Sequence, residues 1–209
     1  MMIMKDGVIT LSEDLFYGKG THKKCYRHPH DSSKCIKMAY SAYGQKDLDR
    51  ELRYLEVLSS CGGKHRMLPK YFGPVETNIG KGHVYEFITD YNGKACLTLE
   101  LLCRDDKLLA QYFDEIVNKL KQLKADMLNE NIITMGLFAE NILFQRVSAS
   151  EFLVRVVNDM GSAALIPLEY YFGFIAKIRI KKRWRRFTEH HLNDYGSNEL
   201  VVKLVDAIK

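Results

Sequence analysis

Residues 106–129 carry Leu108, Tyr112, Ile116, Leu120, Leu123 and Met127 at steps of three and four. That is the period of a long helix with one buried stripe, and a stripe this continuous is core with no chemistry implied. Asn129-Glu130-Asn131 ends it. The next stretch, Ile132–Phe144, closes in Asn141-Ile142-Leu143-Phe144, an apolar run that reads as a short strand. A second apolar run, Phe152–Val157, leads into Asn158-Asp159-Met160-Gly161. One amide, Asn141, therefore enters a strand, and one carboxylate, Asp159, leaves the next before a glycine. Two such oxygens suit Mg²⁺, a hard ion held by few protein oxygens plus phosphate oxygens. The alternative is a hairpin whose Asn and Asp only shape its ends.

Upstream, Val8–Leu11 and Leu15–Phe16 have extended character. They lead into Tyr17-Gly18-Lys19-Gly20 and then Lys23. Two glycines one residue apart let backbone N–H groups approach a phosphate, to which Lys23 adds charge; a plain hairpin turn is the other reading. His28–Ser33 is turn chemistry joining that strand to Lys34–Tyr40. There Lys37 points to the face opposite Ile36 and Met38, either as a solvated edge or as a clamp reaching into a cleft. Residues 45–60 form a helix with Leu48, Leu52, Leu55 and Leu58 on one face. Glu51 lies at the edge of that face, either exposed or paired with a buried base, for which Lys37 is the candidate. Cys61-Gly62-Gly63 ends the helix. Leu68–Thr77 reads as an edge strand, Asn78–Gly82 as a hairpin turn and His83–Ile88 as its partner. Asp90–Gly93 then makes a hinge between residues 1–92 and 93–209.

Five cysteines without a Cys-x-x-Cys pair point to a reduced, cytoplasmic chain with no disulfide framework. Cys25, His28, His30 and Cys35 are zinc-ligand types, but their spacing crosses a turn and both cysteines fall in apolar strands, so zinc is not expected. No run of 18 apolar residues exists. The net charge of +5 has one source. Residues 177–186 hold seven of the 31 basic residues and no acid, and without them 24 bases face 26 acids, a balance of −2.

Glycine turn, strand lysine, helix glutamate, hinge, long helix, Asn loop, strand pair and Asp-x-Gly follow one another in the order of a protein kinase. The chain resembles that superfamily in the order and intervals of these features. More narrowly it resembles the YrbL family of the PhoP regulatory network in Gram-negative bacteria. His22–Tyr26, Cys35–Lys37, Arg50–Arg53, Ile133–Met135, Glu140–Leu143, Leu165–Leu168 and Arg183–Phe187 carry that likeness. The resemblance implies an α+β, two-lobed kinase-like fold, with a small antiparallel β-sheet N-lobe and a truncated helical C-lobe. It implies ATP and Mg²⁺ as cofactors. Gly18, Gly20, Lys23 and Lys37 would meet the phosphates, Glu51 would hold Lys37, and the backbone of Glu86 to Ile88 would meet adenine. Asn141 and Asp159 would hold the metal.

The departures lie in the catalytic loop. Where active kinases have the Asp base and a Lys two residues on, this chain has Gly136 and Phe138; Thr134-Met135 replaces His-Arg. Thr134 is a weak substitute for the base. Two functions stay open: a phosphotransferase acting on a small molecule or envelope glycolipid, and a pseudokinase that binds nucleotide without turnover. Ser162–Ala176 reads as a helix packed on the long one. Residues 194–209 read as a short amphipathic helix. The basic run Lys177, Arg179, Lys181, Lys182, Arg183, Arg185 and Arg186 reads as a solvated helix face, as a contact to acidic lipid or lipopolysaccharide headgroups with Trp184 as anchor, or, last, as a nucleic-acid contact.

Overall fold

The structure is a computed structural model that describes residues 7–60, 62, 65–195 and 198–209. The expected helix stop at Cys61 and Gly63 lies outside those residues. The class is α+β, as the resemblance implies. The chain divides into two compact units, one of residues up to Asp49 with Pro69–Ile88, the other of Arg50–Leu68 with Thr89–Lys209.

The first unit is a sheet of β1 (Val8–Ile9), β2 (Phe16–Lys19), β3 (Lys23–Arg27), β4 (Lys34–Ala39), β5 (Tyr71–Thr77) and β6 (Gly80–Glu86) in the order β1-β5-β6-β4-β3-β2. All pairings are antiparallel except β1 with β5. Ile9, Leu11, Tyr26, Ile36, Met38 and Val84 form its apolar cluster, with Leu15 and Val75 against it. Asn78, in the β5–β6 turn, accepts from Leu11 N–H at 2.7 Å and donates to Leu11 O at 3.2 Å, fastening the N-terminal segment to the sheet. β5 is therefore not the edge expected. The short parallel β1 lies outside it, a pairing that β5's own residues do not encode.

Helix α1 (Ala42–Ser60) belongs to both units. Ser41 Oγ accepts from Gly44 N–H at 3.0 Å and caps its first turn. Its most buried residues are Leu48, Glu51, Tyr54 and Leu55, whereas Leu52 and Leu58 are only half-buried. Glu51 thus sits in the middle of the buried face and not at its edge, because steps of three and four from Leu48 reach Glu51 and Leu55 before they reach Leu58.

In the second unit β7 (Leu97–Thr98), β8 (Ile142–Arg146) and β9 (Phe152–Val156) form an antiparallel sheet. Thr98 caps α2 (Leu99–Arg104), and Asp105 caps α3 (Asp106–Glu130). The expected α3 stripe holds from Ile116 through Leu120 and Leu123 to Met127. Before it, Leu109 is buried instead of Leu108, because Tyr112 breaks helical geometry at φ −114° and ψ 15° and turns the first part of the helix. Asn131, left-handed at φ 55°, closes the helix by donating its N–H to Met127 O.

The expected helix over Ser162–Ala176 is absent. Residues 162–172 are irregular apart from a single turn at Leu168–Tyr170, and α4 runs Gly173–Arg186. Pro167 interrupts the run, and the Ser162 and Glu169 side chains bond each other across the loop. In α4, Ala176, Ile180 and Trp184 are buried at steps of four. Trp184 Nε1 donates to Ile208 O at 2.9 Å, tying α4 to the end of α5 (Glu199–Ile208). Trp184 is therefore core and not a surface anchor. We expect Trp184→Ala to lower unfolding free energy by about 3–5 kcal/mol in urea titrations. Ile178→Ala, on the exposed face of the same helix, should move it by no more than about 0.5 kcal/mol.

Candidate functional site

In the second unit, the segment after α3 and the segment after β9 lie side by side. Met135 N–H donates to Asp159 O at 2.6 Å and Gly161 N–H to Ile133 O at 3.0 Å, with Thr134 and Met160 bridged between them. Tyr54 Oη accepts from Ile133 N–H at 3.0 Å. This ladder fixes Asp159 in a left-handed backbone, φ 58°, and Gly161 follows at φ 97°. A Cβ at Gly161 would come within 2.9 Å of Tyr170 Oη and 3.0 Å of Tyr54 Cβ, so glycine is required there twice over. The turn aims the Asp159 carboxylate at Asn141, whose Nδ2 donates to Asp159 Oδ2 at 3.0 Å. Asn158 Nδ2 in turn donates to Asn141 Oδ1 at 2.9 Å, and Val157 N–H to Asn141 O at 3.1 Å. The expected metal pair is thus in contact, with Asn158 orienting the amide. Asn158 was missed in the sequence, although its place next to Asp159 was a usable signal.

Asn141 turns its amide nitrogen to Asp159 while its amide oxygen accepts from Asn158 Nδ2, so the Asn141 amide would have to turn over before both residues offered oxygen to one cation. No cluster of three or more His, Cys, Asp or Glu capable of holding a metal occurs among the described residues. An ion here would complete its shell with phosphate and water oxygens, which is the habit of Mg²⁺.

Gly136 and Phe138 form one packed unit. Gly136 is buried, and a Cβ there would stand 2.2 Å from Phe138 Cε2 and 2.8 Å from Cζ. The ring lies where a side chain at 136 would project. Thr134 is 4% exposed, and its Oγ has no hydrogen-bond partner. It is walled in, which argues against the role of substitute base.

In the first unit, Lys37 pairs across β4 with Cys25 and His83. It is 8% exposed, so the solvated-edge reading does not apply, and its Nζ lies 4.8 Å from the Tyr85 ring centroid. The glycine turn is held shut by Gly20 N–H to Lys23 O at 2.9 Å, and Tyr40 Oη donates to the carbonyls of Gly20 and Thr21. The fold does not demand either glycine. A Cβ at Gly18 would meet nothing within 4 Å, and one at Gly20 only Lys23 O at 3.8 Å. Tyr17 packs edge-on against Phe87 at 4.7 Å with the Arg27 guanidinium over both rings, which links the turn to the Glu86–Ile88 strand end. Glu86 is anchored by Lys70 N–H to its Oε2 at 3.0 Å, and Ile88 is buried. Cys25 and Cys35 hydrogen-bond each other on the Lys37 face. That bond, helped by the Lys37 charge, lowers the Cys25 pKa, while the same bond and burial raise that of Cys35.

Set beside known proteins, residues 9–192 match the family described as PhoP regulatory network protein YrbL. Proteins described as "Uncharacterized protein YrbL" from Escherichia coli K12 and Shigella flexneri are each 37% identical over 185 residues, 86% of this chain and 86% of their own. The chain belongs to the YrbL family. The Asn141–Asp159 ladder, the Phe138 ring and the Lys37 strand all fall inside the stretch that this YrbL chain shares with its relatives.

Two outcomes follow from this geometry. Gly136→Asp should destabilise the protein by about 1–3 kcal/mol, because the new side chain drives into the Phe138 ring. Adding Phe138→Ala should recover a large part of that loss; additive costs in a double-mutant urea cycle would disprove the clash. Among the described cysteines, Cys25 should react first with iodoacetamide, since burial raises Cys96 and Cys103 to about 12. Lys37→Met should slow the Cys25 reaction, as read by mass spectrometry.

Proposed function

We propose that this YrbL chain binds a nucleoside triphosphate with Mg²⁺ as a regulatory module and does not turn it over at a kinase's rate. The observation that carries the reading is the Phe138 ring over Gly136, beside an ordered Asn141–Asp159 pair. Asn141 and Asp159, which would hold the metal, stay in contact, and the Phe138 ring fills the space a side chain at 136 would take. In phosphoryl transfer most catalysis is positioning and charge neutralisation, so binding and chemistry are separable. In this reading Asn141 and Asp159 hold the metal, which would neutralise phosphate charge when bound. Lys37 meets phosphate oxygens. Glu51 is 0% exposed, and a carboxylate so buried needs a partner of its own. Gly18 and Gly20 would line the phosphate side of the turn, where a Cβ at Gly18 would meet nothing within 4 Å.

ATP with Mg²⁺ at about 100 times its dissociation constant should stabilise the protein by roughly 2.7 kcal/mol, several degrees in thermal midpoint for a chain of this size. The shift should require Mg²⁺ and vanish in Asp159→Ala. Absence of any shift at millimolar ATP sinks the reading. Radiolabelled ATP should give no transfer to a cell extract or lipid fraction. Gly136→Asp with Phe138→Lys should then raise turnover toward the roughly 10²–10⁴-fold that a general base supplies. Efficient transfer by the unaltered chain would instead favour a phosphotransferase acting on a small molecule or envelope glycolipid.

A further inference from the structure

The second unit presents an apolar surface that its own core does not use. Leu165 is 94% exposed, Ile166 71%, Tyr171 74%, Phe174 66% and Ile178 62%, all within fourteen residues. Single exposed apolar residues are ordinary, but this many in one short stretch mark a contact site. The loop carrying the first two is braced. Ser162 Oγ donates to Glu169 Oε1 at 2.5 Å, Ala164 N–H donates to Ser162 Oγ at 3.1 Å, and Ser162 N–H donates to Tyr170 Oη at 2.9 Å. Arg179 Nε reaches the same Glu169 oxygen at 3.6 Å from α4. Leu165 and Ile166 are therefore held out by a fixed scaffold.

Helix α4 continues this surface and changes its character along its length. Phe174, Ile178, Lys181 and Arg185 follow one another at steps of four, three and four, on the side opposite the buried Ala176, Ile180 and Trp184. The outer stripe is apolar in its first turns and basic in its last, with Lys177, Lys182 and Arg186 also exposed. Of the acids nearest this charge, Glu169 is buried with Arg179, and Glu189 lies 3.8 Å from Arg185.

We propose that residues 165–174 and the outer face of α4 dock the protein on an anionic phospholipid bilayer. The apolar loop and Phe174 enter the acyl boundary, and Lys177, Lys181, Lys182, Arg185 and Arg186 meet the headgroup phosphates. The aliphatic share decides against nucleic acid. Leu165, Ile166 and Ile178 offer no stacking face to a base, whereas acyl chains take them readily. No helix among the described residues is long and apolar enough to cross a membrane, so the contact lies on the surface. This inference does not depend on nucleotide binding.

Co-sedimentation of the full chain with phosphatidylcholine vesicles, with and without phosphatidylglycerol, tests it. The protein should pellet with the anionic vesicles at low salt and stay in solution with the neutral ones. Lys181→Gln, Lys182→Gln and Arg185→Gln together should weaken binding on the order of a hundredfold, from about fivefold per charge near an anionic surface. Leu165→Ser, Ile166→Ser and Phe174→Ser together should keep low-salt attachment but lose the part that survives high salt. All six positions are exposed, and an unchanged urea midpoint confirms that each variant is folded. No pelleting of the unaltered protein with anionic vesicles at low salt overturns the proposal. So does equal binding by both triple variants, or an apolar variant that only turns a dimer into a monomer in sedimentation velocity.

Discussion

Two backbone hydrogen bonds, Met135 N–H to Asp159 O and Gly161 N–H to Ile133 O, hold the second unit's polar centre in shape. A left-handed Asp is a strained residue, and such strain of about 1–3 kcal/mol survives only where neighbours over-determine it. Here they do. The Thr134–Met160 bridge, the Tyr54 hydroxyl on Ile133 N–H and the Tyr170 hydroxyl on Ser162 N–H all act on the same few residues. The strain sends the carboxylate to Asn141 instead of to solvent. Everything downstream inherits this geometry, because Ser162 and Tyr170 also anchor the exposed loop that leads into α4.

The Phe138 ring and Gly136 are one feature seen from two residues. The ring sits where it does because position 136 has no side chain, and position 136 tolerates none while the ring is there. With this pair, hydrocarbon fills the space that a side chain at 136 would take, while Asn141 and Asp159 stay in contact. α4 divides its labour in the same physical way. Ala176, Ile180 and Trp184 provide the packing on the core side. Six of the helix's seven basic residues are exposed, and Arg183 alone among them is half-buried.

Much of the fold was legible in the sequence because periodicity reports burial directly. The α3 stripe from Ile116 to Met127, the β8–β9 pair and the C-terminal helix follow from apolar spacing alone. The misreadings have local causes. The apolar run 162–176 lacks a polar face that would distinguish a buried helix from an exposed apolar loop, and the two give the same string of residues. Glu51 was placed at an edge because leucines drew the face, although the geometry of 48, 51 and 55 puts it at the centre. Trp184 among arginines left an anchor reading open beside a solvated helix face, since nothing nearby in sequence announces a bond to Ile208 O.

By itself the sequence determined the residue types: the amide at 141, the carboxylate at 159, the lysine at 37, the glycine at 136 and the phenylalanine at 138. It determined too that the positive excess lies in one ten-residue run. Only the tertiary structure decided that Asn141 and Asp159 meet at 3.0 Å, that Phe138 covers Gly136, and that Leu165 and Ile166 face outward. The reason is physical. Residue type and local period are set by near neighbours in the chain. Contact across 18 residues, the closeness of a ring to a backbone and the exposure of an apolar loop depend on how distant segments pack, which no local pattern records.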